Sequence, residues 1–479
     1  MLFTDPVFLL RFLPASLTAF FLALALTPRR WREAGRRFTA ANTVLLASSV
    51  CFLVAGAGDM ARWLVALALV NYGAALGIDG LRRRVEVTGR QTPLPEALLT
   101  VALFANVALL VVIKFALPLP DRFAGAGFAM PQLLAPLGLT FVVCHATSYV
   151  MDVFRGVLPA QRSPIRAGVY LLFFPLLCAG PLVRYGEMGR QLADRRVTLA
   201  GFSYGMRRWL VGYCKVALFA RVLGAPADQV FGLSAAELGA GQAWLGAVCF
   251  GLQIYFDLSG YADMAIGFGR MYGFRLFENF RWPYGASTLT DFWRRWNISL
   301  LDWCRGYLGV AVDPADEGAW RRVRQVLLLF ACLGLWHGPG WTVAVWAASH
   351  GVLVAVERAG LAAWLGRLPV AARRGYVLLA LVLLWVPFRA GSLDAAGIVL
   401  RAMAGVGRAT SPVGLEIGVL DWTVIAVAGV SSMPIWSSFG RWLVTVDALT
   451  TSTIILVSTS FVYLWRSIVR GVRLLTPRR

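Results

Sequence analysis

Hydrophobic residues in this chain fall into long runs, not into the alternating or helically spaced patterns of a soluble core. Val7 to Thr27, about 40–57, 61–79 and roughly 95–117 are each long enough to cross a bilayer, which takes about 20 apolar residues. The polar stretches between them are short and basic. PRRWREAGRR, from Pro28 to Arg37, and the cluster Arg82 to Arg84 place the ends they follow in the cytoplasm and the N-terminus outside. The first run is too long for a signal-peptide core and follows no basic segment, so it is expected to remain as a span. An outer loop with Pro118, Pro120 and the sequence AGAG leads to a return into the membrane near Leu133.

Beyond that point glycine, proline and ionisable residues interrupt the apolar runs. Broken helices at membrane depth are tolerated only where they pack on protein or line a water-filled cavity. Residues 131–350 are therefore expected to hold a site. No repeat or linker divides the chain, which predicts one domain over 1–479: N-terminal helices to 130, a core from 131 to 350 and C-terminal helices from 351. The segment with Arg358, Arg367, Arg373 and Arg374 belongs in the cytoplasm, as does the tail from Arg466 to Arg479. A hairpin at Gly338 to Gly340 satisfies the first of these; a full crossing there puts that segment outside.

Composition sharpens the class. The 479 residues are 58% hydrophobic and 15% charged, against about 25% charged in a soluble domain. A soluble fold of this size cannot bury so much, and disorder or a disulfide-stapled module is excluded with it. The net charge of +21 comes from arginines in the loops, with Lys114 and Lys215 the only lysines, and implies no nucleic-acid partner. The seven cysteines show no metal-ligand spacing and read as structural thiols. The expected fold is all-α and polytopic, with about 10–12 transmembrane or re-entrant helices.

Three stretches carry candidate chemistry. In GLQIYFDLSGYADMAIGFGRMYGF, Asp257 and Asp263 lie in an apolar window, where a carboxylate must pair or face a cavity. Helical spacing puts Ser259 with Asp263 on one face and Asp257 with Tyr261 on another. Both carboxylates are open to two roles, binding substrate or pairing internally to fix helix packing. In the second stretch Pro283 and Gly285 break the chain, Ser287 or Thr288 caps, and Asp291 opens a new helix. Trp293, Trp296, Leu300 and Trp303 then form an aromatic stripe, with Arg294, Arg295 and Arg305 on other faces. This reads as an amphipathic helix lying at the cytoplasmic boundary, with Asn297 among its polar positions. The third stretch, LFACLGLWHGPGWTVAVWAASHG, holds His337 and His350, two of the three histidines. Gly338, Pro339 and Gly340 stop a helix at His337, and an imidazole held neutral there is either a general base or a hydrogen-bonded structural group. The same two readings apply to His350 and His145.

The runs IYFDLSGYADMAIGFGRMYGF, ENFRWPY, DFWRRWNISLLDWCRGYL and LWHGPGWTVAVWAASHG resemble the signature blocks of the membrane-bound O-acyltransferase (MBOAT) family. They are most similar to its bacterial branch, which includes the alginate O-acetyltransferase membrane subunit and the D-alanine-transfer membrane protein of teichoic acid. APLGLTFVVCHATSYVMDVFRG, FFPLLCAGPLVRYGEM and FTDPVFLLRFLPA extend the likeness over nearly the whole chain. The resemblance implies a multi-helix fold whose central site moves an acyl group from a cytoplasmic thioester to an acceptor reached from the other side. His337 matches the family's invariant histidine. Asn297 falls on the other marker position, where this branch usually has histidine and the eukaryotic members asparagine; an amide orients a carbonyl or hydroxyl but takes up no proton.

The implied reaction has acetyl-CoA, or another acyl-CoA or acyl carrier, as donor, with no tightly bound cofactor and no metal. His337 removes the proton of an acceptor hydroxyl and Asn297 donates a hydrogen bond to substrate. Trp336, Trp341 and Trp296 shape the tunnel wall or are ordinary membrane aromatics, and Arg294 and Arg295 meet donor phosphates or anchor the interface. The resemblance further implies a bacterial inner-membrane location and a cell-surface polysaccharide as acceptor. Separate periplasmic or extracellular acetyltransferase proteins are implied as partners, since the chain shows no soluble hydrolase-like domain. Transfer of D-alanine or another acyl group, and a transporter or scaffold without catalysis, are the alternatives.

Overall fold

Backbone N–H and C=O groups in apolar surroundings must be satisfied within their own segment, which makes helices of the long runs. The computed structural model of the chain describes residues 2–28, 30–31, 37–116, 138–312, 318–406 and 413–434; among these every regular element is helical. Most of the basic segment after the first span, the loop with Pro118 and Pro120, the return near Leu133 and the arginine-rich tail lie outside the described residues. Five helical stretches are long and apolar enough to cross a membrane: Phe8–Ala25, Thr39–Thr88, Leu94–Lys114, Leu199–Phe231 and Val370–Arg389.

The N-terminal part contains α1 (Phe8–Ala25), α2 (Thr39–Ala57), α3 (Ala61–Thr88) and α4 (Leu94–Val111). Helix α2 stops at Gly58, whose φ of 54° and ψ of −135° suit only glycine. Asn71 and Asn106 exchange amide hydrogen bonds between α3 and α4, at 2.7 and 3.0 Å, with neither side chain accessible. Such a pair joins helices where apolar contact alone gives little preference over lipid. Next come α5 (Leu139–Phe154), α6 (Pro164–Leu177) and α7 (Tyr185–Ala193), followed by the two long central helices α8 (Leu199–Phe231) and α9 (Ala240–Met271).

Helices α8 and α9 touch backbone to backbone through glycines seven residues apart. A Cβ on Gly212 would stand 2.5 Å from the Gly260 oxygen, and one on Gly205 2.6 Å from the Gly267 oxygen. This approach brings Asp263 against Arg208 and Lys215. Its Oδ1 accepts from Arg208 Nε at 2.9 Å and Oδ2 from Lys215 Nζ at 2.7 Å, while Arg208 also reaches Glu278 at 2.5 Å. The sequence-derived faces hold: Ser259 and Asp263 are buried, and Asp257 and Tyr261 are half-buried. Gly260→Val is expected to lower stability by about 1–3 kcal/mol or more, because even a Cβ there stands 2.7 Å from a Val216 methyl and 2.8 Å from the Gly212 carbonyl oxygen, which is main chain and cannot swing aside. A drop in melting temperature of the purified protein in detergent checks this; an unchanged melting curve contradicts the contact.

Candidate active site

After α9 the chain runs through Trp282, at φ 45°, and a tight turn at Pro283–Gly285. Thr288 caps the next helix, α10 (Leu289–Arg295), its Oγ1 accepting from the Asp291 N–H at 2.9 Å. The expected single amphipathic helix is in fact two. Asn297 takes φ 46° and ψ 54°, a left-handed conformation that ends one helix and starts α11 (Ile298–Trp303). The break turns the tryptophan stripe inward: Trp293, Trp296 and Leu300 are only 3, 4 and 5% exposed. They pack inside the protein and do not anchor it at a membrane boundary.

Two polar residues hold this broken segment, and neither stands out in the sequence. Asn279 donates from Nδ2 to Asn297 Oδ1 at 3.1 Å. Its own Oδ1 accepts from the Ser299 N–H at 3.0 Å and from Ser299 Oγ at 2.8 Å. Glu357 comes from the opposite direction, out of the turn after the His350 helix. Its Oε1 accepts from the Leu289 N–H at 2.7 Å, and Oε2 from the Thr290 N–H at 2.8 Å and Thr290 Oγ1 at 2.9 Å. The buried carboxylate thus satisfies first-turn donors of α10 and sits at the positive end of its dipole. Its only trace in the sequence is an acidic residue at the end of an apolar run.

His337 is the last residue of α12 (Ala319–His337), which forms an antiparallel hairpin with α13 (Trp341–Val356). A Cβ on Gly334 would meet Ala347 at 3.0 Å, and one on Gly351 would meet Phe330 at 3.2 Å. Gly338 makes the turn at φ 113° and ψ 179°, open to glycine alone. The hairpin, not the full crossing, is therefore what the GPG break forms. It returns Arg358 to the side of Arg321, Arg322 and Arg324.

The His337 ring is exposed, yet it stands edge-on to two aromatic rings, Trp346 at 5.3 Å and Phe388 at 5.0 Å. Phe388 and Trp385 belong to α14 (Val370–Arg389). Trp346 continues to Trp385 at 6.0 Å, and Trp385 to Trp296 at 5.5 Å. An unbroken series of rings thus joins His337 to the neighbour of Asn297. In and beside it, the indole N–H groups of Trp346 and Trp293 are buried without an acceptor among the described residues. Buried donors are normally paired, and these two are not. Lys114 donates from Nζ to the Trp336 carbonyl and lies 5.5 Å from the centroid of that indole, which brings a cation beside the end of α12.

The other candidates divide. His350 is fully buried; its Nδ1 donates to the Trp346 carbonyl at 3.0 Å, which fixes the tautomer and leaves Nε2 without a partner among the described residues. His145 is 1% exposed against Tyr170, far in sequence from this cluster. Trp336 is half-buried. Trp341 is 79% exposed and makes no ring contact with the cluster among the described residues. Arg295 is drawn back to Asp291 by an i,i+4 pair at 2.9 Å, and Arg294 faces outward. Asp263 has both oxygens filled, while half-buried Asp257 takes no part in that network. Among the described residues no group of three or more His, Cys, Asp or Glu is placed to hold a metal.

The profile of MBOAT, the membrane-bound O-acyltransferase family, matches residues 161–364. Over a longer stretch, the Probable alginate O-acetylase AlgI of Azotobacter vinelandii is 34% identical across 446 residues, 90% of this chain and 85% of that protein. The chain belongs to the membrane-bound O-acyltransferase family. It is also 28% identical to the Peptidoglycan O-acetyltransferase of Helicobacter pylori, over 85% of this chain and 80% of that one. The Teichoic acid D-alanyltransferase of Bacillus subtilis is 26% identical over 47% of this chain. The protein is thus a multi-pass membrane acyltransferase, as the resemblance of its signature blocks implies. The left-handed backbone at Asn297 gives a physical reason for the residues found at that marker position: asparagine and histidine are both among the side chains that visit this region most readily.

Proposed function

We propose that the protein takes an acetyl group from acetyl-CoA, or a similar acyl thioester, at the cytoplasmic face of the inner membrane and passes it outward to hydroxyl groups of a cell-surface polysaccharide. The relative named as an alginate O-acetylase supports that acceptor class and the acetyl group. Periplasmic or extracellular acetyltransferase proteins complete the transfer to the polymer. His337 is the general base: its lone pair meets the acceptor hydroxyl as the oxygen attacks the thioester carbonyl, and the proton passes to the ring while the thiolate leaves. Asn297 and the unpaired indole N–H groups hold the carbonyl oxygen as charge develops on it. The ring series from His337 to Trp296 keeps water scarce around the carbonyl. One observation carries this reading, the exposed His337 imidazole at a glycine-forced helix break inside an otherwise aromatic wall.

Substitutions at Asn297 test it. Asn297→Ala is expected to lower acetyl transfer about a hundredfold or more, as loss of one donor to a developing oxyanion does. Asn297→His, which keeps a nitrogen donor and tolerates the backbone, stays within about tenfold of the parent. Polymer O-acetyl content at equal membrane abundance is the readout. Parental activity in the Asn297→Ala protein contradicts a substrate-facing amide.

A further inference from the structure

Away from the His337 cluster the structure holds a cavity of about 910 Å³, between the turn after α5, the start of α7 and the helical turn Cys304–Leu308 that extends α11. Arg82 donates to the Val153 and Phe154 carbonyls at this end of α5. The cavity therefore lies on the side that the Arg82–Arg84 cluster assigns to the cytoplasm. Its wall carries Arg155, Arg162, Arg184 and Arg190 against Asp152 and Glu187. Both carboxylates are engaged. Asp152 Oδ2 accepts from the Tyr307 hydroxyl at 2.9 Å, and Glu187 Oε2 accepts from the Arg184 backbone N–H at 3.1 Å.

Two of the arginines are fixed by neutral acceptors instead. Arg155 Nη1 donates to the Gly306 carbonyl at 2.8 Å and Arg184 Nη2 to the Asp302 carbonyl at 3.0 Å. Both guanidinium groups lie over the one ring of Tyr307, at 5.7 and 5.5 Å. A Cβ at position 306 would stand 2.7 Å from Arg184 Nη2, so the glycine is what lets this guanidinium lie against the turn. Neither arginine has a carboxylate within ion-pair distance among the described residues. Guanidinium groups held by neutral acceptors, with spare N–H donors, match the geometry of phosphate oxygens, which they bind bidentately.

We propose that this cavity binds the phosphate groups of the thioester donor and anchors its anionic head while the thioester end reaches the site. The proposal rests on the donor reading above. Tyr307 lies ten residues from Asn297 along α11 and its extension, about 15 Å at helical rise, a distance that suits a long flexible arm between an anchored head and a reacting carbonyl. The phosphate of an anionic lipid headgroup presents the same chemistry, and the test separates the two sources.

The full-length protein in phosphatidylcholine nanodiscs is titrated calorimetrically with coenzyme A, with pantetheine, which lacks phosphates, and with short-chain phosphatidylglycerol. Coenzyme A is expected to bind at least about tenfold more tightly than pantetheine. Arg155→Gln and Arg184→Gln each weaken coenzyme A about tenfold or more without moving pantetheine, the loss expected for a charged hydrogen bond. Gly306→Ala weakens it in the same direction while keeping every charge, which guards against an arginine variant that folds poorly. Equal affinities for coenzyme A and pantetheine, or unaltered coenzyme A binding in both arginine variants, overturn the proposal. Arginine-dependent binding of phosphatidylglycerol alone overturns the donor assignment and makes the cavity a headgroup site. Acetyl transfer measured on the same preparations, with and without His337→Ala, reports separately on the enzyme reading.

Discussion

His337→Ala is expected to lower acetyl transfer about a hundredfold to ten-thousandfold at equal membrane abundance, the range a positioned general base contributes. Its ring is exposed at the end of α12, with Trp346 and Phe388 on its flanks. Truncating it removes few packing contacts and one proton acceptor. His350→Ala should behave in the opposite way. That ring is fully buried among Trp293, Phe330, Trp346 and Trp385, so its loss leaves a cavity and lowers stability. Melting temperature and polymer O-acetyl content, measured together, separate the two histidines. A His337→Ala protein with parental transfer contradicts the mechanism.

Glu357→Ala is the second large effect. It strips acceptors from two backbone N–H groups and one hydroxyl in a buried place. Each orphaned donor costs about 1–3 kcal/mol, so the sum is large against the stability of an ordinary domain. Helix α10 carries Trp293 and leads directly to Trp296 and Asn297, so losing its anchor displaces the tryptophan wall and the amide together. Transfer and melting temperature are both expected to fall steeply. Glu357→Gln, which keeps a carbonyl acceptor, should recover part of each. Unchanged melting in the alanine protein would show that the carboxylate does not hold α10.

The spans of the N-terminal part were legible because hydropathy decides them: Thr39–Ala57 matches the run at about 40–57, and Ala61–Thr88 starts with the run at 61–79 but continues as helix through the Arg82–Arg84 cluster that the sequence placed beyond it. The GPG break at His337 was legible for a related reason, since few residues other than glycine fit its backbone. Helix continuity beyond Asp291 was not. A stripe at i, i+3, i+7 reads as one amphipathic helix, and although asparagine tolerates the left-handed region, the bond that holds Asn297 there comes from Asn279, 18 residues earlier. The inward position of Trp293 and Trp296 likewise depends on partners in α13 and α14, which read only as apolar spans. Glu357 and Arg208 illustrate the same limit, because a buried charge is explained by the group it meets and not by its neighbours in sequence.

The most direct test of the central claim uses the scarcity of histidine. With three in the chain and two of them buried, diethyl pyrocarbonate at pH 6–7 is expected to modify His337 alone. Peptide mass spectrometry should show acetyl transfer falling in step with that modification, and coenzyme A should protect the ring. Failure of the reagent to reach His337, or full transfer by protein modified there, would contradict the account.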